Sequence, residues 1–199
     1  MSRLLFPLFV AACSSPAPLA IDAAAPSIDA AAPDVPTIAP ELAIMYRTRD
    51  GMAVDATAGA QVPLTIPPQG GLVLFVGARV RNLDAASVTV TASLRDAADS
   101  PVLTLEQRPV HLTIGADGWA APADPAGMFD WANLPACPLS SATRDVYDQP
   151  YVLRIGVADA SGASTDAKLE IVPTCEAGAN GDLCRCQCKL GYSLGDPCP

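Results

Sequence analysis

Histidine is almost missing from this chain: His111 stands alone among 199 residues. By the alternation around it, His111 faces outward from a strand between Val110 and Leu112, the setting of an ordinary surface residue. There is no His-Glu-x-x-His zinc helix, no Gly-x-Ser-x-Gly nucleophile elbow and no glycine-rich phosphate loop. No cofactor and no metal site is therefore expected. Basic residues are also scarce, 12 against 21 acids, for a formal net charge of −9. A surface so short of Lys and Arg lacks the basic stripe of a nucleic-acid binder and repels polyanions, so no nucleic-acid partner is expected. Long apolar runs are absent too. Leu4 to Val10 falls far short of the roughly 20 residues that cross a bilayer, and Pro7 interrupts any helix there.

What is present begins with that short run. One positive charge (Arg3), an apolar stretch and then Val10-Ala11-Ala12-Cys13 have the layout of a secretory signal ending in small residues. With cysteine following the small residues, the segment resembles the lipobox of bacterial lipoproteins. The resemblance implies cleavage before Cys13, a diacylglycerol on its sulfur, acylation of the new amine and attachment to a membrane through that lipid. Ser14 rather than Asp at the next position resembles the outer-membrane class. Cleavage removes Arg3 and no acid, so 11 basic and 21 acidic residues leave a mature charge of −10. Acidity opposes lying flat on anionic lipid; the acyl chains are left to hold the protein.

From residue 13 to 40 the chain is nearly all Ala, Pro, Ser and Asp, with a tandem repeat, Ile21-Asp-Ala-Ala-Ala-Pro-Ser and Ile28-Asp-Ala-Ala-Ala-Pro-Asp. Each proline removes a donor and biases its predecessor away from the helical region. The expectation is a disordered, partly polyproline-like tether with an outer reach of ~80 Å.

Residues 41–173 read as one all-β domain. Leu42, Ile44 and Tyr46 alternate with more polar neighbours, and Asp50-Gly51 signals a turn. Val62–Ile66, with its prolines, reads as a short edge piece. Gly71–Arg81 is a strong strand, apolar on both faces in its first half, and Gly77 suggests a bulge. Val88, Val90, Ala92 and Leu94 share one face of a half-buried strand. Tyr151, Leu153, Ile155 and Val157 repeat that pattern, and Leu169 with Ile171 alternates against Lys168 and Glu170. Short strands separated by turns, without an amphipathic helix, argue an antiparallel sandwich. The Tyr-x-Leu-x-Ile-x-Val-x-Asp-x-x-Gly run from Tyr151 resembles the last hairpin of an immunoglobulin-like or fibronectin-III-like domain. Asp117 to Gln149 exceeds ordinary loop lengths, so it is a functional insertion or contains further strands.

Residues 174–199 form a cysteine-rich tail. With Cys13 given to lipid, Cys137, Cys175, Cys184, Cys186, Cys188 and Cys198 remain, an even set suited to disulfides in an oxidising compartment. If the three crowded cysteines, Cys184, Cys186 and Cys188, avoid one another, each pairs with one of Cys137, Cys175 and Cys198; a Cys137–Cys175 staple is the competing scheme. Cys186-Gln-Cys188-Lys-Leu-Gly191-Tyr192 and Cys198 resemble the closing half of an EGF-like module, and that resemblance implies a Cys188–Cys198 bond. Structural zinc sites usually separate paired cysteines by two to four residues, whereas these neighbours are separated by one.

Candidate sites are few. Trp119, Phe129 and Trp131 fall in the long irregular segment and could meet a protein or glycan partner, or plug one end of a sandwich. Asp96 with Asp99, or Asp145 with Asp148, could converge as a carboxylate pair for a hydrolase, but acids in turns are the plainer reading. Asp124, Asp130 and Asp159 could sit at a calcium site, without any EF-hand or cadherin-type motif. The expectation is a non-enzymatic, exported, lipid-anchored envelope protein with a binding or structural role. The alternative is an accessory subunit of an envelope assembly.

Overall fold

The computed structural model describes residues 38–123 and 127–198. The proposed signal, Cys13, most of the tether and Asp124 lie outside them. The described chain is mostly strand, arranged as a curled mixed sheet, a half-barrel, with one short helix near its C-terminus.

In chain order the strands are β1 (Glu41–Arg47), β2 (Ala53–Asp55), β3 (Ala60–Thr65), β4 (Leu72–Arg81), β5 (Val88–Arg95) and β6 (Val102–Val110). There follow β7 (Thr113–Ile114), β8 (Ala120–Ala121), β9 (Ala132–Cys137), β10 (Tyr151–Asp159), β11 (Ser164–Thr174) and helix α1 (Ala179–Gln187). The main path runs β2-β1-β4-β3-β11-β10-β5-β6, with β8 and β9 also paired to β4.

Period-two burial drives the sheet. Val88, Val90, Ala92 and Leu94 of β5, and Tyr151, Leu153, Ile155 and Val157 of β10, are all buried in the main core. Each such aliphatic side chain removed from water contributes roughly 1.5–3 kcal/mol. β4 is buried on both sides. Leu72, Leu74, Val76, Ala78 and Val80 enter the main core, while Val73 and Phe75 join Met45 and Trp131 in a second cluster.

Four expectations need correction. The sheet is mixed, because β3 runs parallel to β11 from Ala60 to Pro63 before pairing antiparallel with β4 at Leu64 and Thr65. β3 is therefore no edge piece. It hands the chain from one set of strands to the other, and Pro63, which has no N–H to donate, falls at the handover. Gly77 pairs with Met45 in unbroken register; the irregularity lies at Leu72/Val73, opposite β9. His111 is exposed, but in the short link between β6 and β7 rather than on a strand.

The long segment Asp117–Gln149 does contain strands. β9 lies along β4 from Leu72↔Cys137 to Val76↔Ala132, and Ala120 of β8 pairs with Val80. α1 has nine residues, too few to be stable alone in water, and three disulfides surround it: Cys137–Cys188, Cys175–Cys184 and Cys186–Cys198. The helix explains this pairing. Cys184 and Cys188 are four residues apart and share a face, where both are buried in the main core. Cys186 lies between them, off that face, and bonds Cys198 instead. The Cys188–Cys198 bond implied by the EGF-like resemblance and the Cys137–Cys175 alternative are both replaced by this arrangement.

Candidate functional site

The site is built on β4, whose outward residues after Phe75 are Gly77, Arg79 and Arg81. β7 and β8 form a tight hairpin closed by the Gly115 N–H donating to the Trp119 carbonyl at 2.7 Å and the Gly118 N–H to the Gly115 carbonyl at 3.1 Å. Asp117 Oδ1 accepts from the Trp119 N–H at 3.2 Å. Since Ala120 pairs with Val80, the hairpin delivers Trp119 beside Arg81.

Two guanidinium groups contact the indole. Arg79 Cζ is 4.7 Å from the Trp119 ring centroid, and Arg81 Cζ is 4.9 Å from it. Each arginine also holds a carboxylate from a neighbouring strand: Arg79 Nη2 lies 2.8 Å from Asp55 Oδ2, and Arg81 bonds Glu41. The result is a chain Asp55–Arg79–Trp119–Arg81–Glu41 across β2, β4, the β7–β8 hairpin and β1. Each cation–π contact at such a half-exposed place is worth ~0.5–1 kcal/mol. Further along the same face, Arg47 stands 5.6 Å above the Phe75 ring.

The three aromatics singled out in the sequence have three different fates. Trp119 is half-buried under its arginines. Trp131 is fully buried with Met45, Val73 and Phe75, so it is a packing residue, and its Nε1 has no hydrogen-bond partner. Phe129 is 83 % exposed on a 3-10 turn, Met128–Asp130, just ahead of Trp131. That turn is braced from β9 and β6. With its amide turned to satisfy both ends, Asn133 donates to the carbonyls of Trp131 (3.2 Å) and Met128 (3.3 Å) and accepts from Arg108 Nη1 at 3.1 Å. Arg108 in turn pairs with Glu106.

The arginines and acids of this face were not foreseen. The signal was the alternation Arg79-Val80-Arg81 at the end of the strongest strand, where a wet face resumes after an apolar one. Of the carboxylates weighed as catalytic pairs, Asp99 is exposed and those of Asp96 and Asp145 hold loops. Asp96 accepts from the Thr143 hydroxyl at 3.2 Å and faces Arg144 at 3.7 Å. Asp145 accepts from the Leu190 N–H at 2.8 Å, tying the tail to the body, and the Asp148 N–H donates to the Pro173 carbonyl. Asp159 spends its oxygens on the β10–β11 turn and its neighbour. It accepts from the Ser161 hydroxyl (2.6 Å) and N–H (2.9 Å), from the Ala163 N–H (3.1 Å) and from the Asp84 N–H (3.1 Å). These bonds, led by the Ser161 hydroxyl, hold its carboxyl below the ordinary value of 3.8. Asp130 accepts from the Gly127 N–H at 2.9 Å.

No protein-family profile, curated protein or solved structure matches this chain.

Proposed function

We propose that this is an exported protein held by lipid on Cys13 to the cell envelope, in the outer membrane, with a non-catalytic binding role for a protein or glycan partner. The observation that carries the anchoring is the sulfur count. Of seven cysteines, the six downstream of Cys13 pair among themselves in three disulfides, so no other cysteine of this chain is left to pair with Cys13. Disulfides also suit an oxidising compartment. Among the described residues no helix is long and apolar enough to cross a membrane; acyl chains on Cys13 are the anchor of this reading. Replacing Cys13 with Ser moves the protein from the membrane fraction to the soluble one.

The body is read as an immunoglobulin-like sandwich whose β3 serves both layers. Tyr151 supports this: fully buried at the start of β10, it donates its hydroxyl to the Asp145 carbonyl at 3.0 Å, as the corner tyrosine of such sandwiches bonds upstream backbone. The binding face is the outer side of β4 with Trp119 and Phe129. An aromatic ring left 83 % exposed on a braced turn is costly to keep in water and loses little entropy when covered. A fragment beginning at Glu41 retains capture of isolated envelope fragments, and Trp119→Ala with Phe129→Ala abolishes it. Accessory-subunit behaviour is the other outcome, in which the fragment captures nothing and only the full chain co-purifies from membranes.

A further inference from the structure

The tail holds an arrangement of sulfurs that the binding role does not use. The Sγ atoms of Cys175, Cys184 and Cys188 all lie within 4.8 Å of one another, although Cys175 is bonded to Cys184 and Cys188 to Cys137. Two disulfides thus stand within exchange distance. Their exposure is unequal. Cys137, Cys184 and Cys188 are 4 %, 3 % and 2 % exposed, while Cys175 is only partly buried. Cys137–Cys188 spans 51 residues and bonds the helix end to β9, whereas the other two bonds span 9 and 12.

We propose that these two disulfides form a thiol–disulfide exchange relay, through which a small dithiol attacking half-buried Cys175 releases buried Cys137 from the helix. The reductant's thiolate bonds to Cys175 Sγ, the Cys175–Cys184 bond breaks, and its electron pair leaves on Cys184 Sγ. Cys184 lines a cavity of about 240 Å³ that Arg49 also lines. Arg49 is held there by Glu176 at 3.9 Å. The Cys184 thiolate then attacks Cys188 Sγ. A Cys184–Cys188 bond forms, the Cys137–Cys188 bond breaks, and Cys137 leaves as a thiolate that takes a proton from water. The reductant's second thiolate closes on its own sulfur in the mixed disulfide and frees Cys175. The dithiol has lost two electrons and become a cyclic disulfide; the protein has gained thiols at Cys137 and Cys175. Direct attack on Cys137–Cys188 is shielded by burial, so the relay is the open route. What it releases is the covalent tie between the tail helix and β9.

The test uses the oxidised, folded chain with limiting dithiothreitol, an acid quench, iodoacetamide labelling and peptide mapping. The relay predicts equal label on Cys137 and Cys175 together with a Cys184–Cys188 cross-linked peptide. Label on Cys175 and Cys184 with Cys137–Cys188 intact overturns it, as does label confined to Cys186 and Cys198. A Cys175→Ser, Cys184→Ser variant supplies an independent readout: release of Cys137 slows by about tenfold or more because the accessible attack point is gone. An unchanged rate overturns the relay even if the first experiment is obscured by partial unfolding.

Discussion

Trp131 occupies the space that a side chain at position 77 would fill: a Cβ built on Gly77 stands 3.2 Å from Trp131 Cε3. The glycine lets the indole settle onto β4, where it seals the outer cluster of Met45, Val73 and Phe75. Gly77→Ala forces the ring or the strand to shift. The expected cost is ~1–3 kcal/mol, as for other overpacked sites, read as a lower denaturation midpoint with a changed near-ultraviolet dichroism of tryptophan. Trp131→Ala leaves a cavity instead and costs ~3–5 kcal/mol.

Trp119 should behave in the opposite way. Its contacts are two arginines at a half-exposed place, so Trp119→Ala lowers stability by only ~1–2 kcal/mol. It nevertheless removes one of the two rings of the proposed binding face. A variant that folds normally and fails to capture envelope fragments is the expected result; denaturation and capture measured on one preparation separate the two effects.

The contrast between these tryptophans marks how far the sequence could be read. Alternation made β5 and β10 legible, since every second residue there is apolar. β9 was hidden: Ala132-Asn-Leu-Pro-Ala-Cys137 has one large aliphatic residue and an internal proline, a poor strand by propensity. Its place is set by docking on β4. α1 was hidden for a related reason, because Gly181 and two half-cystines give no helical pattern. Spacing on the chain kept Cys184, Cys186 and Cys188 from bonding one another and offered each a partner among Cys137, Cys175 and Cys198, as the structure has them, without saying which. The helix makes two of them partners on one face and turns the third away, which no count of intervening residues could reveal. Nothing in the sequence separated Trp119 from Trp131 either, as burial depends on the strand each one meets.

Gly181 tests the docking of that helix. A Cβ there would lie 1.7 Å from the Glu176 carbonyl oxygen, a backbone atom that cannot swing aside. Gly181→Ala displaces the first turn of α1, and the expected readout is faster reduction of Cys175–Cys184 by dithiothreitol, with the β-sheet dichroism of the body unchanged.

Tyr151 links stability to alkaline pH. Burial, the largest influence, raises its phenol above the ordinary value of 10.0, so the folded state favours the neutral form. That contribution is complete below pH 10.0 and is lost as pH rises through the raised value. Tyr151→Phe removes the hydroxyl bond to Asp145 at a cost of ~1 kcal/mol near neutrality and flattens the alkaline fall in stability.

Asp159 does the same on the acid side. Its carboxyl is held below 3.8, first by the Ser161 hydroxyl and then by backbone N–H groups. Its contribution is therefore present above the ordinary carboxylate range and is lost as pH falls through the lowered value. Asp159→Asn removes this titration, and denaturation followed from neutrality down to acid pH shows a shallower decline than in the parent chain.

The distribution of sulfur is the claim on which the account rests, and intact mass spectrometry of the membrane-extracted protein measures it directly. The account predicts an N-terminus at Cys13 with the added mass of diacylglycerol and an acyl chain. It also predicts no iodoacetamide uptake before reduction and six additions afterwards, matching three disulfides. An unlipidated chain, or a seventh cysteine that takes the label, contradicts it.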